Sequence, residues 1–331
     1  MASHIERRKF LATLGGAAVW PLAARAQQLA MPVVGILYAG SSAGVSPTYV
    51  AAFRKGLEEA GFAEGQDVAL DFRFAENNPD VLPEIAADMV RHHVAVIVVP
   101  GSALAVRAAK AATRTTPIVF MNASDPVQSG LVTSLSRPGG NVTGITDFGQ
   151  ELAAKRLGLL HELLPEARRV AALTYLGLDD RFGVIADLQT AAAAIAQEIE
   201  VFPAGTSRDI DAAFEAVVQK QADALWVSPG SLFLNHREQI VSLAARYAIP
   251  AMYPLREFTE VGGLMSYGSN LADRSRQAGI YTGRILKGEK PADLPVMRTT
   301  KFDLVINLRT ARMLGITIPL SLHMQAEEVI E

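Results

Sequence analysis

Gly40-Ser41-Ser42-Ala43-Gly44 follows the first apolar run of the chain in G-x-S-x-G spacing. That pattern can hold a serine nucleophile on a sharp turn between strand and helix. A hydrolase of this kind needs an acid and then a histidine downstream, and Asp303 and His323 stand in that order. With the motif after the first strand of the mature chain, no upstream loop remains to supply the oxyanion hole, and so short a pattern is weakly specific in a Gly/Ser/Ala-rich stretch. Residues 283–288 have phosphate-loop spacing, but Glu289 stands where lysine is required, so Gly288 reads as a helix C-cap. No G-x-G-x-x-G follows the first strand. The histidines are His4, His92, His93, His161, His236 and His323, none in H-x-x-x-H spacing. The chain has 0 cysteines, which excludes disulfides, thiolate metal sites, iron–sulfur clusters, a cysteine nucleophile and a lipid-modified N-terminal cysteine. The expectation is a protein without catalytic residues, metal or cofactor.

The chemistry that remains is binding. In open α/β sheets, ligands sit beyond the carboxyl ends of the strands, where helix N-termini offer free N–H groups to anions. This rule selects Gly40, Ser41 and Ser42 after the first strand, and Gly101 and Ser102 after a later one. It also selects Asn122, Ser124 and Asp125, then Tyr175, then Ser228 and Gly230, and finally Tyr253 and Tyr267. Each has a plainer use. Ser102 can cap its helix, Gly101 can permit a tight turn, and Asp125 can cap the segment behind Pro126 instead of receiving an ammonium group. The tyrosines can stack on a ligand or fill a core.

The elements that position these residues are legible. Residues 33–38 form a short apolar run, read as a buried strand, and Ser46-Pro47 opens a helix that stops near Gly61. Strands at 68–74, 94–99 and 117–121 alternate with helices at 80–91 and after Ser102. The pattern restarts with a helix at 152–164 and strands at 170–175, 198–202, 224–227 and 249–253, again alternating with helices. Continuous apolar strands between helices indicate parallel sheets covered on both faces. The organisation is therefore α/β: a first lobe at 32–146 and a second at 147–253, joined through a strand-like hinge near 143–147. The tail is expected to cross back, with about 263–290 returning to the first lobe and 291–320 to the second. Several crossings would restrict motion to hinge closure around a cleft.

Composition narrows the class further. At 331 residues with 50% hydrophobic side chains, the chain can bury a core, and about 150 residues per domain gives two units. The formal net charge is -3 and aromatic residues are 7%, which argues against nucleic-acid partners. No apolar run reaches the ~18 residues of a membrane span. Residues 1–26 read as an export signal: Arg7-Arg8-Lys9-Phe10-Leu11, a short apolar stretch, then an A-x-A site at 24–26. The paired arginines resemble the twin-arginine signal, although Glu6 replaces the usual Ser or Thr. The chain after this segment keeps 27 basic and 33 acidic residues, a net charge of -6. The expected location is the periplasm, without a lipid anchor.

Thr116-Pro117-Ile118-Val119-Phe120, Ser124-Asp125-Pro126-Val127 and residues 130–135 form one block, followed directly by Arg137-Pro138-Gly139-Gly140-Asn141-Val142-Thr143-Gly144. Lys290-Pro291-Ala292-Asp293-Leu294-Pro295 and Leu304-Val305-Ile306-Asn307 stand near the end. Together these resemble the ABC transporter substrate-binding protein family that includes bacterial tryptophan- and tyrosine-type receptors. The resemblance implies a type I periplasmic-binding-protein fold with two doubly wound parallel-sheet lobes and three crossover strands. It implies a small-molecule ligand in the cleft, an amino acid or aromatic carboxylate, delivered to an ABC permease with a cytoplasmic ATPase; the expected state is a monomer. It does not fix individual side chains in the pocket loops. The competing readings are a serine hydrolase using Ser42 and a ligand-sensing partner of a membrane receptor.

Overall fold

The computed structural model describes residues 31–42, 45–122, 125–147, 149–176 and 183–331. The export segment read over residues 1–26, together with Ala43, Gly44 and Ser124, lies outside them. The first lobe contains β1 (Val33–Tyr38), α1 (Pro47–Glu59), β2 (Ala69–Phe74), α2 (Leu82–Arg91), β3 (Val96–Pro100), α3 (Ala103–Ala112), β4 (Ile118–Asn122) and β5 (Val142–Thr146). The second opens with α4 (Gly149–Leu163) and continues through β6 (Arg169–Tyr175), α5 (Val184–Ala194), β7 (Glu198–Ala204) and α6 (Ser207–Gln219). It goes on with β8 (Ala224–Val227), α7 (Ser231–Asn235), α8 (Arg237–Arg246), β9 (Ala251–Tyr253), α9 (Arg256–Glu260) and β10 (Met265–Ser269). The tail adds α10 (Leu271–Leu286), β11 (Met297–Arg298), β12 (Phe302–Asn307), α11 (Leu308–Met313), α12 (Leu320–Gln325) and β13 (Glu328–Ile330).

Among the described residues the strands form two sheets, in the orders β11-β5-β4-β3-β1-β2 and β13-β12-β10-β9-β8-β6-β7. Every pairing in the first is parallel. In the second, β12 runs antiparallel to β10. The tail explains this. It divides more finely than expected from 263–290 and 291–320: β10 stays in the second sheet, α10 packs on the first lobe against α1, β11 joins the first sheet, and β12 returns to the second. Since β10 leaves its sheet at the hinge and β12 re-enters there, the two must run in opposite directions. The chain thus crosses between lobes three times. The crossings lie side by side: the Thr299 N–H donates to the Thr146 carbonyl at 2.8 Å, and the Asn270 N–H to the Lys301 carbonyl at 3.1 Å.

Both sheets bury both faces, as their continuous apolar runs require. In the first sheet Leu37, Ile97, Val99 and Phe120 face α2 and α3, while Val34, Ile36, Val98 and Val119 face α1 and α10. In the second, Leu173, Leu225, Val227 and Tyr253 face one core, and Val170, Ala172, Trp226 and Met252 the other. No helix among the described residues is long and apolar enough to cross a membrane.

Glycines bring α1 and α10 together. A Cβ at Gly56 would lie 1.9 Å from the Arg276 carbonyl oxygen, so the helices touch backbone to backbone there. Gly56→Ala would favour an isolated helix by about 1 kcal/mol. Here it is expected to destabilise the fold by about 1–3 kcal/mol net, because the helices must separate. Urea denaturation of the variant checks this, and unchanged stability would contradict the packing.

Candidate functional site: an interlobe ligand cavity

A cavity of about 150 Å³ lies between the lobes, at the carboxyl ends of the strands. The first lobe contributes Tyr38, Gly40, Ser41, Ser46, Tyr49, Gly101 and Met121. The second contributes Arg156, Pro229, Gly230, Ser231, Leu234, Asn235 and Leu255, and the crossings add Asp147, Leu271, Arg274 and Ser275. Both lobes are therefore needed to complete it. The lobes are closed on each other: Asn235 Nδ2 donates to Asn77 Oδ1 at 2.8 Å across the cleft. Gly40 makes room for that contact, since a Cβ there would sit 2.5 Å from Asn235 Nδ2. The Glu76 and Asn77 N–H groups in turn brace the carbonyls of Gly40 and Ala39.

The walls are mostly apolar, and the charge is concentrated in Asp147, Arg156 and Arg274. Asp147 Oδ2 accepts from Arg274 Nη1 at 2.9 Å and from Ser269 Oγ at 2.6 Å, tying the first and second crossings together. Arg156 donates through Nε to the Tyr267 carbonyl at 2.7 Å. All three side chains are buried, Arg156 to 2% exposure. Burial pulls the Arg156 pKa down to about 10, against the attraction of Asp147, so it remains a cation at neutral pH. Four shielded polar atoms on cavity residues have no hydrogen-bond partner among the described residues: Asp147 Oδ1, Arg156 Nη1, Arg274 Nε and the Tyr49 hydroxyl. Buried polar atoms are almost always paired, so unpaired atoms around one cavity mark a place where a ligand completes the bonding. Two guanidinium groups and one carboxylate leave the cavity with an excess positive charge, which suits an anionic group. The first turns of α1 and α10 also open there, adding the positive ends of two helices.

Of the residues selected from sequence, Gly40, Ser41, Gly101 and Gly230 line this cavity. The others do not. Ser42 is exposed on the rim, its N–H donating to Glu76 Oε1 at 3.2 Å. Ser102 Oγ caps α3 by accepting from the Ala105 N–H. Asn122 ends β4, Ser124 lies outside the described residues, and Asp125 is used by the Val127 and Gln128 N–H groups. Tyr175 packs edge-on against Phe233 and supports Gly230 from behind. Ser228 is fully buried, donating to the Pro229 carbonyl. Tyr253 stacks on Phe258 in a core of the second lobe, where burial raises its phenol pKa. Tyr267 stacks on Phe302 and offers the site its carbonyl rather than its ring. Asp303 accepts from Asn270 at the hinge, while His323 sits on the C-terminal α12 and Ser42 on the first lobe's rim. Among the described residues no group of three or more His, Asp or Glu could hold a metal ion.

Sequence reasoning missed Tyr38, Tyr49, Asp147, Arg156 and Arg274. Arg156 falls on the buried stripe of α4 with Ala153, Leu157 and Leu160, and Arg274 on that of α10 with Ala278 and Tyr281. A cation on an apolar helix face was the available signal.

The sequence profile described as ABC transporter substrate binding protein matches residues 45–330. The chain belongs to the ABC transporter substrate-binding protein family. A curated relative, the tyrosine-binding protein of Clostridioides difficile strain R20291, is 27% identical over 262 residues, covering 79% of this chain and 75% of its own. A Streptococcus pneumonia ABC domain solved in complex with L-Trp is 27% identical with a TM-score of 0.81, over 90% of this chain and 99% of its own. A ligand-free, open structure of an adhesive substrate-binding protein from Clostridium difficile is 25% identical with a TM-score of 0.65, over the same 90% and 99%. With identity and coverage nearly equal, the fit is better to the ligand-bound neighbour than to the open one. The fold is that of type I periplasmic binding proteins, as the resemblance implied.

Proposed function

We propose that this chain is the solute receptor of an ABC importer and that its ligand is a small organic carboxylate, an amino acid or aromatic acid, held between the lobes. The observation that carries this reading is Arg156: a buried cation whose Nη1 has no partner among the described residues, on a residue lining an apolar interlobe cavity. A ligand carboxylate supplies the missing counter-charge. Its apolar body meets Tyr38, Met121, Leu234 and Leu255, drawn from both lobes. Because the ligand touches both lobes, it binds the closed state selectively and shifts the population toward it. The names of the relatives support an aromatic amino acid as the first candidate.

Substrate-binding proteins bind small molecules and work with ABC permeases. We assign this one a permease with a cytoplasmic ATPase, presented with the closed monomer; the chain itself breaks no bond and uses no metal or cofactor. Family members are typically extracellular or periplasmic. The paired Arg7-Arg8 and the A-x-A site at 24–26 support a periplasmic location reached by the twin-arginine route. The test is a thermal-shift and calorimetric series on protein stripped by unfolding and refolding. L-tyrosine, L-tryptophan or an aromatic acid should raise the melting temperature, and the matching amide should not. Equal binding of acid and amide would refute the carboxylate assignment.

A further inference from the structure

The cavity joins two unlike linings. The main one includes Asp147, Arg156 and Arg274. A smaller cavity of about 10 Å³ shares Tyr38, Tyr49, Pro100, Met121 and Ser275 with it and is otherwise lined by Ile36, Val50, Phe53, Phe72 and Val98. Among the described residues no Asp, Glu, Lys or Arg side chain lines the smaller cavity. Its polar side-chain groups are the hydroxyls of Tyr38, Tyr49 and Ser275. The Tyr38 ring is fixed by stacking on Phe74 at 5.7 Å. The Tyr49 hydroxyl is shielded from solvent and has no hydrogen-bond partner among the described residues. It sits in the first turn of α1, on the first-lobe wall, whereas Arg156 belongs to the second lobe.

We infer that Tyr49 is a specificity-determining residue, selecting occupants that carry a hydrogen-bonding atom on their ring, such as a phenol hydroxyl or an indole N–H, over the same carboxylate with a plain hydrocarbon ring. This inference rests on the carboxylate reading above and extends it to the far end of the ligand. With the carboxylate at Arg156 on the second lobe, a ring that spans the cavity meets the first-lobe wall at Tyr38 and Tyr49. A plain ring leaves the Tyr49 hydroxyl buried and unpaired, whereas a ring hydroxyl or N–H pairs with it. A site built to bond a substrate hydroxyl rejects the analogue lacking it far more strongly than a purely apolar pocket discriminates by size.

The test is calorimetry on the refolded full chain with two matched pairs: L-tyrosine against L-phenylalanine, and 3-(4-hydroxyphenyl)propionate against 3-phenylpropionate. The wild type is expected to prefer the hydroxylated member by roughly 10-fold or more. Tyr49→Phe should bring each ratio to within about threefold by weakening the hydroxylated ligand alone. A wild type that binds both members equally, or a ratio that survives Tyr49→Phe, overturns the inference. If no carboxylate binds, the underlying reading has failed, and the unliganded melting temperature still judges Tyr49. A hydroxyl without a partner predicts that Tyr49→Phe melts no lower than wild type. A lower melting temperature would show that the hydroxyl is bonded within the protein, and so would also overturn the inference.

Discussion

Arg156→Gln is expected to weaken carboxylate binding by roughly 30- to 3,000-fold without lowering the stability of the unliganded protein. Truncating one partner of a buried, hydrogen-bonded charge pair costs about 2–5 kcal/mol, and each 1.4 kcal/mol is about tenfold in affinity. Arg156 meets the condition from the protein's side. It is 2% exposed, its Nε is committed to the Tyr267 carbonyl, and its Nη1 has no partner among the described residues. The stability half of the expectation follows from the same facts. Without ligand, the guanidinium is a buried cation whose counter-charge, Asp147, is shared with Arg274. Removing an incompletely compensated charge relieves desolvation, so the melting temperature should hold or rise as affinity falls. Arg156→Lys keeps the charge but loses the planar fork, and should recover only part of the affinity. A Gln variant that binds within threefold of wild type would place the carboxylate elsewhere.

The contrast between what the sequence declared and what it concealed is physical. Strands in covered parallel sheets must be continuous apolar runs, so residues 33–38 and 96–100 could be read directly. Ser46-Pro47 and Ser102 announced helix starts because N-termini need caps or a proline, and both helices begin where these residues stand. The strand-end rule found Gly40, Ser41, Gly101 and Gly230 because a cavity between two sheets must be rimmed by such loops. It failed for Tyr253, since both faces of the second sheet are covered and even a terminal strand residue points into a core. It also passed over Asp147, one residue beyond β5, because that segment was read only as a hinge. Arg156 and Arg274 escaped because charged residues on helices are ordinarily solvated. What distinguishes them is their position on a buried stripe, combined with a partner distant in sequence. The antiparallel entry of β12 depends on where the third crossing re-enters the second lobe, which no local pattern encodes.

Asp147→Ala should lower unfolding free energy by about 3–5 kcal/mol, a large share of a typical domain's stability. Asp147 is 5% exposed and serves as counter-charge to Arg274, itself 5% exposed, with Arg156 also feeling its field. Losing one member of a buried pair strands the other, and here two cations are stranded together. The same carboxylate accepts from Ser269 Oγ, so the substitution also unties the first crossing from the second. Arg274→Ala alone strands only Asp147 and should cost less. The double variant should be more stable than Asp147→Ala, because it removes one of the stranded cations. Urea denaturation of the three variants measures the coupling, and a loss below about 1 kcal/mol for Asp147→Ala would mean that water reaches the triad. Placing the charge on the crossings has a consequence for function. An arrangement of two cations and one anion at the hinge is least costly when an anionic ligand completes it, so the electrostatics that hold the crossings together also favour closing the lobes around a carboxylate.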